Sequence, residues 1–126
     1  MDAQMTNDIK VLVVDDNLPM REGIVELLKN KKGFHVVAQA ENGEEAIRLS
    51  KEFGPDVILM DISMPQMDGL QATSLIKKDQ PGIGIIALSM DDNESIRNKV
   101  MAAGASIFIN KETSPKNLLQ AIRKTC

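Results

Sequence analysis

Five short apolar runs alternate with helical patterns along the chain, and this alternation constrains the fold more than any other feature. The runs have the length of strands and are rich in Val and Ile: Val11–Val14, Phe34–Ala40, Val57–Met60, Ile83–Leu88 and Ile107–Ile109. Strands that alternate with helices predict a parallel sheet covered by helices on both faces.

The segments that separate and follow these runs carry apolar residues at helical spacing. The expected core-facing residues are Met20, Ile24, Leu27 and Leu28, then Ala46, Leu49 and Phe53, then Ala72, Leu75 and Ile76, then Ile96, Val100 and Ala103, and finally Leu118, Ala121 and Ile122. Ser114 and Pro115 predict the start of the last helix, and Gly104 predicts the end of the one before it.

The predicted fold is therefore an α/β fold of five βα units. Right-handed crossovers leave few topologies, and the common order for five parallel strands is 2-1-3-4-5, the flavodoxin-like doubly wound sheet. Residues 1–8 are expected to form a polar tail and residues 9–126 one domain, with no room for a second.

Composition excludes several classes of protein. A net charge of −3 is unlike the basic footprint of a nucleic-acid-binding domain. No apolar run approaches the roughly 20 residues of a membrane span, and the N-terminus lacks the pattern of a signal peptide. One cysteine excludes an internal disulfide framework. We therefore expect a cytoplasmic protein that binds neither nucleic acid nor membrane.

Acidic residues follow the first and third strands directly. Asp15 and Asp16 come after VLVV, and Asp61 comes after VILM. In a 2-1-3-4-5 sheet these strands are neighbours, and ligands bind at their carboxyl ends because the strand order reverses there. We therefore expect three carboxylates at one edge, where their mutual repulsion favours a hard cation.

Oxygen ligands at this edge suit Mg²⁺, with Mn²⁺ as an acceptable substitute, and no other cofactor is indicated. Ser89 ends the fourth strand and Lys111 follows the fifth, so a hydroxyl and an ammonium are available for a phosphoryl group. Aspartate is a known phosphoryl-accepting nucleophile. The residues predict a site where Asp61 carries a phosphoryl group held by metal, lysine and hydroxyl.

Plainer interpretations exist for each residue. Asp15 and Asp16 could simply cap the helix that starts near Leu18, and Lys111 could be an ordinary solvated lysine. A phosphatase of the haloacid dehalogenase type also uses an aspartate nucleophile, but it needs a D-x-D motif and Asp61 is followed by Ile62-Ser63. Asp68 and Gly69 are interpreted as turn and helix-cap residues rather than catalytic ones.

The motifs together resemble the receiver domains of bacterial two-component response regulators, most closely the NarL/FixJ (LuxR-type) class. The resemblance covers residues 9–125 and rests on four motifs: VLVVDDN (11–17), D-x-x-M-P-x-M-D-G (61–69), ALSM (87–90) and AGASIFINK (103–111). It implies a phosphorylation-dependent signalling switch rather than a conventional enzyme, since such a domain catalyses only its own phosphorylation and dephosphorylation.

The resemblance also implies a role for each residue. Asp61 would accept the phosphoryl group from a histidine kinase, a phosphotransfer protein or a small phosphodonor. The Mg²⁺ ligands would be Asp15, Asp16, Asp61 and the backbone carbonyl of Ser63. Ser89 and Lys111 would hold the phosphoryl oxygens, and Phe108 would be the switch aromatic that moves inward when Ser89 is drawn to the phosphate.

Two departures from the family pattern accompany the resemblance. Lys111 precedes Glu112 rather than proline, so we predict a trans peptide bond here. LuxR-type regulators continue into a DNA-binding domain, which is not expected in residues 9–126, so the chain is either the receiver part of a longer regulator or a stand-alone receiver. For a longer regulator, the expected output is control of transcription through an effector domain outside this chain, with homodimerisation on phosphorylation. The alternative is a constitutive interaction module in which phosphorylation plays no part.

Overall fold

The computed structural model describes residues 8–64, 69–90 and 93–126. Strands and helices alternate throughout these residues. Their bounds are β1 Ile9–Val14, α1 Leu18–Lys29, β2 Phe34–Ala40, α2 Gly43–Phe53, β3 Val57–Asp61, α3 Gly69–Asp79, β4 Gly84–Ser89, α4 Glu94–Ala103, β5 Ile107–Asn110 and α5 Pro115–Thr125. The strand boundaries lie within two residues of those predicted. Most of the expected tail (residues 1–7) and Asp68 lie outside the described residues.

All five strands form one parallel sheet in the order β2-β1-β3-β4-β5. The predicted topology is confirmed. β3 lies at the centre and is buried on both faces over its full length, because helices cover both sides of the sheet. Its register places Asp61 beside Leu88 of β4, while β1 pairs with it from the other side up to Val14 and Met60. The ends of β1 and β3 are therefore adjacent.

Alternate residues of the central strands enter two separate apolar layers. Ile58 and Met60 pack on the side of α2, α3 and α4. Val57 and Leu59 pack on the side of α1 and α5. A continuous apolar strand is thus explained by two cores, one on each face of the sheet.

Local signals fix several helix boundaries. Ser114 accepts a hydrogen bond from the Asn117 N–H at 3.2 Å and caps α5, as predicted. Gly104 ends α4 in the left-handed region, with φ of 117°, as predicted. Asn17, rather than Asp15 or Asp16, caps α1 and accepts from the Met20 N–H at 3.0 Å. The interpretation of the two acids as helix caps is therefore wrong.

Two residues expected in the core are exposed instead. Phe53 and Leu75 are each 42% exposed. The buried residues of α2 are Gly43, Ala46 and Ser50. Phe53 shares their face but is the last residue of the helix, beyond the buried part. Leu75 faces the groove between α2 and α3 rather than the sheet.

None of the helices in the described parts of the chain combines the length and the apolar character needed to cross a membrane.

Candidate phosphoacceptor and metal site

The two strand-end carboxylates that were predicted to meet do so, and a lysine lies between them. Asp15 and Asp61 are almost fully buried, with exposures of 0% and 1%. The Lys111 ammonium lies 3.1 Å from Oδ2 of each. Because the Lys111 side chain is itself only 7% exposed, this is a buried ion cluster rather than a surface salt bridge.

Each carboxylate also accepts a backbone hydrogen bond that fixes its rotation. Asp15 Oδ1 accepts from the Asn17 N–H at 2.9 Å. Asp61 Oδ1 accepts from the Ser63 N–H at 2.9 Å. In both cases the donor lies two residues later, in the turn that leaves the strand. The turns that follow β1 and β3 therefore orient the acids towards Lys111 and leave their Oδ2 atoms at the centre of the site.

Asp16 lies at the open side of the cluster. Unlike its neighbours it is exposed. Asp15, Asp16 and Asp61 nevertheless each offer a carboxylate oxygen within 4.8 Å of the others, so small side-chain rotations would bring them around one cation. Asp15 Oδ2 forms an ion pair with the Lys111 ammonium. Among the described residues, no donor makes a hydrogen bond of good geometry to this buried oxygen. The donor set consists of hard oxygens, so these residues fit Mg²⁺.

The charges of the cluster shift the pKa of two groups. The pKa of Asp61 is raised to about 6; burial is the largest cause and the Asp15 carboxylate adds to it, while the Ser63 N–H and Lys111 oppose the rise. Burial also pulls the pKa of Lys111 down, but Asp61 and Asp15 outweigh it, and the pKa is raised above its ordinary value. Three acids and one lysine leave a surplus of negative charge that a divalent cation would offset.

The remaining predicted residues lie at the same end of the sheet. Ser89 is the last residue of β4 and is 1% exposed. Its carbonyl accepts from the Lys111 N–H at 2.8 Å, which anchors the end of β5. The peptide bond from Lys111 to Glu112 is trans, as predicted, since no described peptide bond is cis. Ser63 is exposed beside Asp61.

Phe108 faces the same side of the sheet as Ser89. Its register partner in β4 is Ala87, two residues before Ser89, and both strands point these alternate residues towards α4. The ring is 8% exposed. The guanidinium of Arg97, on α4, lies 4.7 Å from the ring centroid, a favourable cation–π arrangement. Phe108 is thus packed inward under Arg97.

Arg21 is a site residue that was missed from the sequence. Its Nη1 donates to the Asp15 carbonyl at 2.6 Å, and its Nε donates to Gln39 Oε1 at 3.1 Å. It therefore holds the peptide between the two acids that end β1. A signal was present: Arg21, Val25 and Leu28 fall at i, i+4 and i+7, and a charged residue on a stripe that becomes buried needs a partner.

Comparison with known proteins then settles the family. A family model described as the response regulator receiver domain matches residues 11–123. The chain is a receiver domain. It belongs to the NarL/LuxR class of response regulators.

Three relatives define the extent of the match. The response regulator GacA of Pseudomonas aeruginosa is 39% identical over 116 residues, which cover 92% of this chain and 54% of GacA. The transcriptional regulatory protein DegU of Brevibacillus brevis is 38% identical over 117 residues, which cover 93% of this chain and 50% of DegU. The receiver domain thus spans about half the length of these curated relatives. A LuxR-family response regulator from Aurantimonas sp. SI85-9A1 superposes with a TM-score of 0.89 at 33% identity, covering 94% of this chain and 84% of that one.

Proposed function

We propose that this receiver domain is a phosphorylation-dependent signalling switch in which Asp61 accepts the phosphoryl group. The donor is a histidine kinase, a phosphotransfer protein or a small phosphodonor. One observation carries the proposal: two buried carboxylates share the Lys111 ammonium at 3.1 Å each, at the carboxyl edge of the sheet. Burying such a cluster is costly, and one buried carboxylate would be enough to neutralise the charge of a structural lysine.

Phosphoryl transfer forms a bond between phosphorus and a carboxylate oxygen of Asp61. The bond from phosphorus to the donor's histidine nitrogen or acyl oxygen breaks, and its electron pair leaves with the donor. A pKa of about 6 keeps most Asp61 side chains ionised near neutral pH, so the nucleophile is available. The domain contributes positioning and charge neutralisation rather than covalent chemistry of its own beyond this bond.

Asp15, Asp16, Asp61 and the backbone carbonyl of Ser63 would hold Mg²⁺, with Mn²⁺ as a substitute. When bound, the ion neutralises the charge that builds up between phosphoryl oxygens and carboxylates. Lys111 would turn from the carboxylates to the phosphoryl oxygens, a short movement for a flexible side chain that already lies in the site. Ser89 would donate its hydroxyl to the same group.

The switch would run from Ser89 to Phe108. Ser89 and Phe108 both face α4. A shift of Ser89 towards the phosphoryl group would leave space beside the Phe108 ring, which would then move inward. The result would be a changed surface at α4, β5 and α5 and a changed preference for partners, including a second copy of the domain. By analogy with DegU, which is named as a transcriptional regulatory protein, the output in a cytoplasmic protein would be transcription, through an effector domain outside this chain.

The decisive experiment measures intact mass after incubation with a small acyl phosphate. Wild type, Asp61→Asn and the control Asp79→Asn are compared with Mg²⁺, with Mn²⁺ and with chelator. Asp79 is a suitable control because it is exposed and pairs only with Lys51, at 3.8 Å, among the described residues. One added phosphoryl group that needs the metal and is absent only in Asp61→Asn would support the switch.

A missing adduct is followed by two further measurements on protein shown to be folded. One uses a phosphorylated histidine phosphotransfer protein as donor, and the other uses beryllofluoride, which occupies the phosphoryl position without hydrolysis. Amide shifts at α4 and β5 on adding beryllofluoride and Mg²⁺ would retain the proposal. No adduct and no shifts would leave the constitutive interaction module as the better account.

A further inference from the structure

Gly69 begins α3 directly against the backbone of the proposed phosphoacceptor. It is buried. A Cβ added here would overlap the carbonyl oxygen of Asp61, and it would lie 2.8 Å from Ile62 Cα and 2.9 Å from the Asp61 carbonyl carbon. All three atoms belong to backbone, which cannot move aside as the end of a flexible side chain does. The absence of a side chain at Gly69 is what lets α3 approach this close.

Backbone conformation does not explain this glycine. Gly33, Gly54 and Gly104 adopt positive φ among the described residues, whereas Gly69 does not. Gly69 is the first residue of α3 rather than a residue beyond its C-terminal end. Helical backbone gives no reason for glycine there, since alanine is the better helix former, by about 1 kcal/mol in a helix interior. The reason for glycine is therefore space, and the space is next to Asp61.

The peptide that Gly69 abuts is held on its other side as well. The Ile62 N–H donates to the Leu88 carbonyl of β4 at 3.1 Å. The Ser63 N–H, one residue later, donates to Asp61 Oδ1 at 2.9 Å. The strand end therefore lies between β4 and α3, and the same short turn orients the carboxylate. A side chain at residue 69 would therefore press on a peptide that β4 holds from the other side and that carries Asp61.

We infer that Gly69 is a positioning residue that seats Asp61 for phosphoryl transfer. The inference rests on the proposed function for its catalytic consequence only. A methyl group at residue 69 forces the backbone of Asp61 and that of α3 apart by about an ångström, since non-bonded carbon and oxygen atoms cannot approach much closer than ordinary contact. Misplacing a reacting group by that distance costs on the order of 100-fold in rate.

The test compares Gly69→Ala with Gly23→Ala. Both glycines are helical residues without positive φ, Gly69 at the start of α3 and Gly23 in the middle of α1, but a Cβ at Gly23 meets nothing within 4 Å. The two substitutions thus make the same chemical change, and only one presses on Asp61. The readouts are the Asp61 carboxyl titration by carbon NMR, Mg²⁺ affinity by amide shifts, the rate of phosphorylation by an acyl phosphate, and the free energy of unfolding.

We expect Gly69→Ala to move the Asp61 titration, to weaken Mg²⁺ binding and to slow phosphorylation by on the order of 100-fold, with Gly23→Ala unchanged in all three. Loss of stability alone, with wild-type titration and Mg²⁺ affinity in the folded protein, would overturn the inference, because a merely structural glycine predicts that outcome. If wild type takes up no phosphoryl group, the proposed function fails, while titration and metal affinity still decide the role of Gly69.

A second pair keeps the test decisive if Gly69→Ala alone does not fold. Gly23→Ala adds about 1 kcal/mol of stability through helix propensity, so the double variant is compared with Gly23→Ala by the same readouts. An altered Asp61 titration in the folded double variant would support the positioning role. A double variant that stays unfolded would overturn it, because Gly69 would then be a requirement of the fold rather than of the site.

Discussion

Two buried or half-buried lysines at opposite ends of the sheet meet different partners. At the carboxyl end, Lys111 lies 3.1 Å from two carboxylates. At the amino end, Lys77 of α3 donates to the carbonyls of Pro81 and Ile83, each at 2.8 Å. Lys77 ties the end of α3 to the start of β4 with neutral acceptors. Lys111 sits among more negative charge than it can offset.

The difference separates a lysine with neutral partners from a lysine with charged ones. A cation held by carbonyl oxygens has neutral partners, and neither pH nor metal ions change those partners in the ordinary range. A cation between two buried acids belongs to a cluster whose stability depends on proton and metal binding. The surplus charge, more than the presence of lysine, marks the carboxyl end as the site.

Removing the Lys111 ammonium should have the largest effect on stability. In Lys111→Met the two buried carboxylates lose their cation, and the free energy of unfolding at pH 8 with chelator should fall by about 3 kcal/mol. Because protonation of Asp61 or binding of Mg²⁺ relieves the repulsion, the loss should shrink at pH 5 and on adding Mg²⁺. Denaturant unfolding under the three conditions measures this.

The exposed Lys116 of α5 is the matched control for that variant. Lys116→Met should change stability by less than about 0.5 kcal/mol under all three conditions. An equal loss for Lys111→Met at pH 5, at pH 8 and with Mg²⁺ would contradict the electrostatic account and would make Lys111 resemble Lys77.

Asp61→Asn should stabilise the metal-free protein in a pH-dependent way. The folded-state pKa of Asp61 is about 6 against an ordinary 3.8, so the folded protein binds more protons than the unfolded chain between these values. Stability therefore falls as pH rises from about 4 to 6, by up to about 3 kcal/mol for this group at 1.4 kcal/mol per pKa unit. The variant should escape this loss at pH 8 and match wild type near pH 4.

Unfolding curves from pH 4 to pH 8, in chelator, compare wild type with Asp61→Asn and with Asp79→Asn. The second variant changes an exposed acid and should follow wild type throughout. If the free energies of unfolding of wild type and Asp61→Asn changed in parallel with pH, burial would not raise the pKa of the Asp61 carboxyl group.

Lys77→Met should have the smallest effect, and one that does not depend on pH or metal. It removes two hydrogen bonds to carbonyls in a partly exposed place, which should cost about 1 to 2 kcal/mol. The neighbouring, exposed Lys78 supplies the control, since Lys78→Met changes the same charge without either bond. If the loss of stability in Lys77→Met changed on adding Mg²⁺, the contrast between a lysine with neutral partners and a lysine with charged ones would be wrong.

Much of the site was predictable from residue order. Asp15, Asp61 and Ser89 stand at the ends of recognisable apolar strands, and parallel strands deliver their carboxyl ends to one edge. The capping residues Asn17 and Ser114 act locally, although the role of Asn17 was overlooked in favour of the acids beside it. Phe53 and Leu75 were misplaced because helical spacing shows which residues share a face, but not how long or how wide the contact of that face with the sheet is.

The sequence alone determined the order of the elements, the topology and the family, because strand-length apolar runs, helix caps and a specific set of motifs are all local features. Only the tertiary structure decided that Lys111 lies between Asp15 and Asp61, that Arg21 holds the Asp15 carbonyl, and that Gly69 leaves space for Asp61. The first relation joins residues far apart in the chain, and the other two join a helix to the strand end beside it. Their distances depend on how closely helices pack on the sheet, which no local pattern of residues specifies.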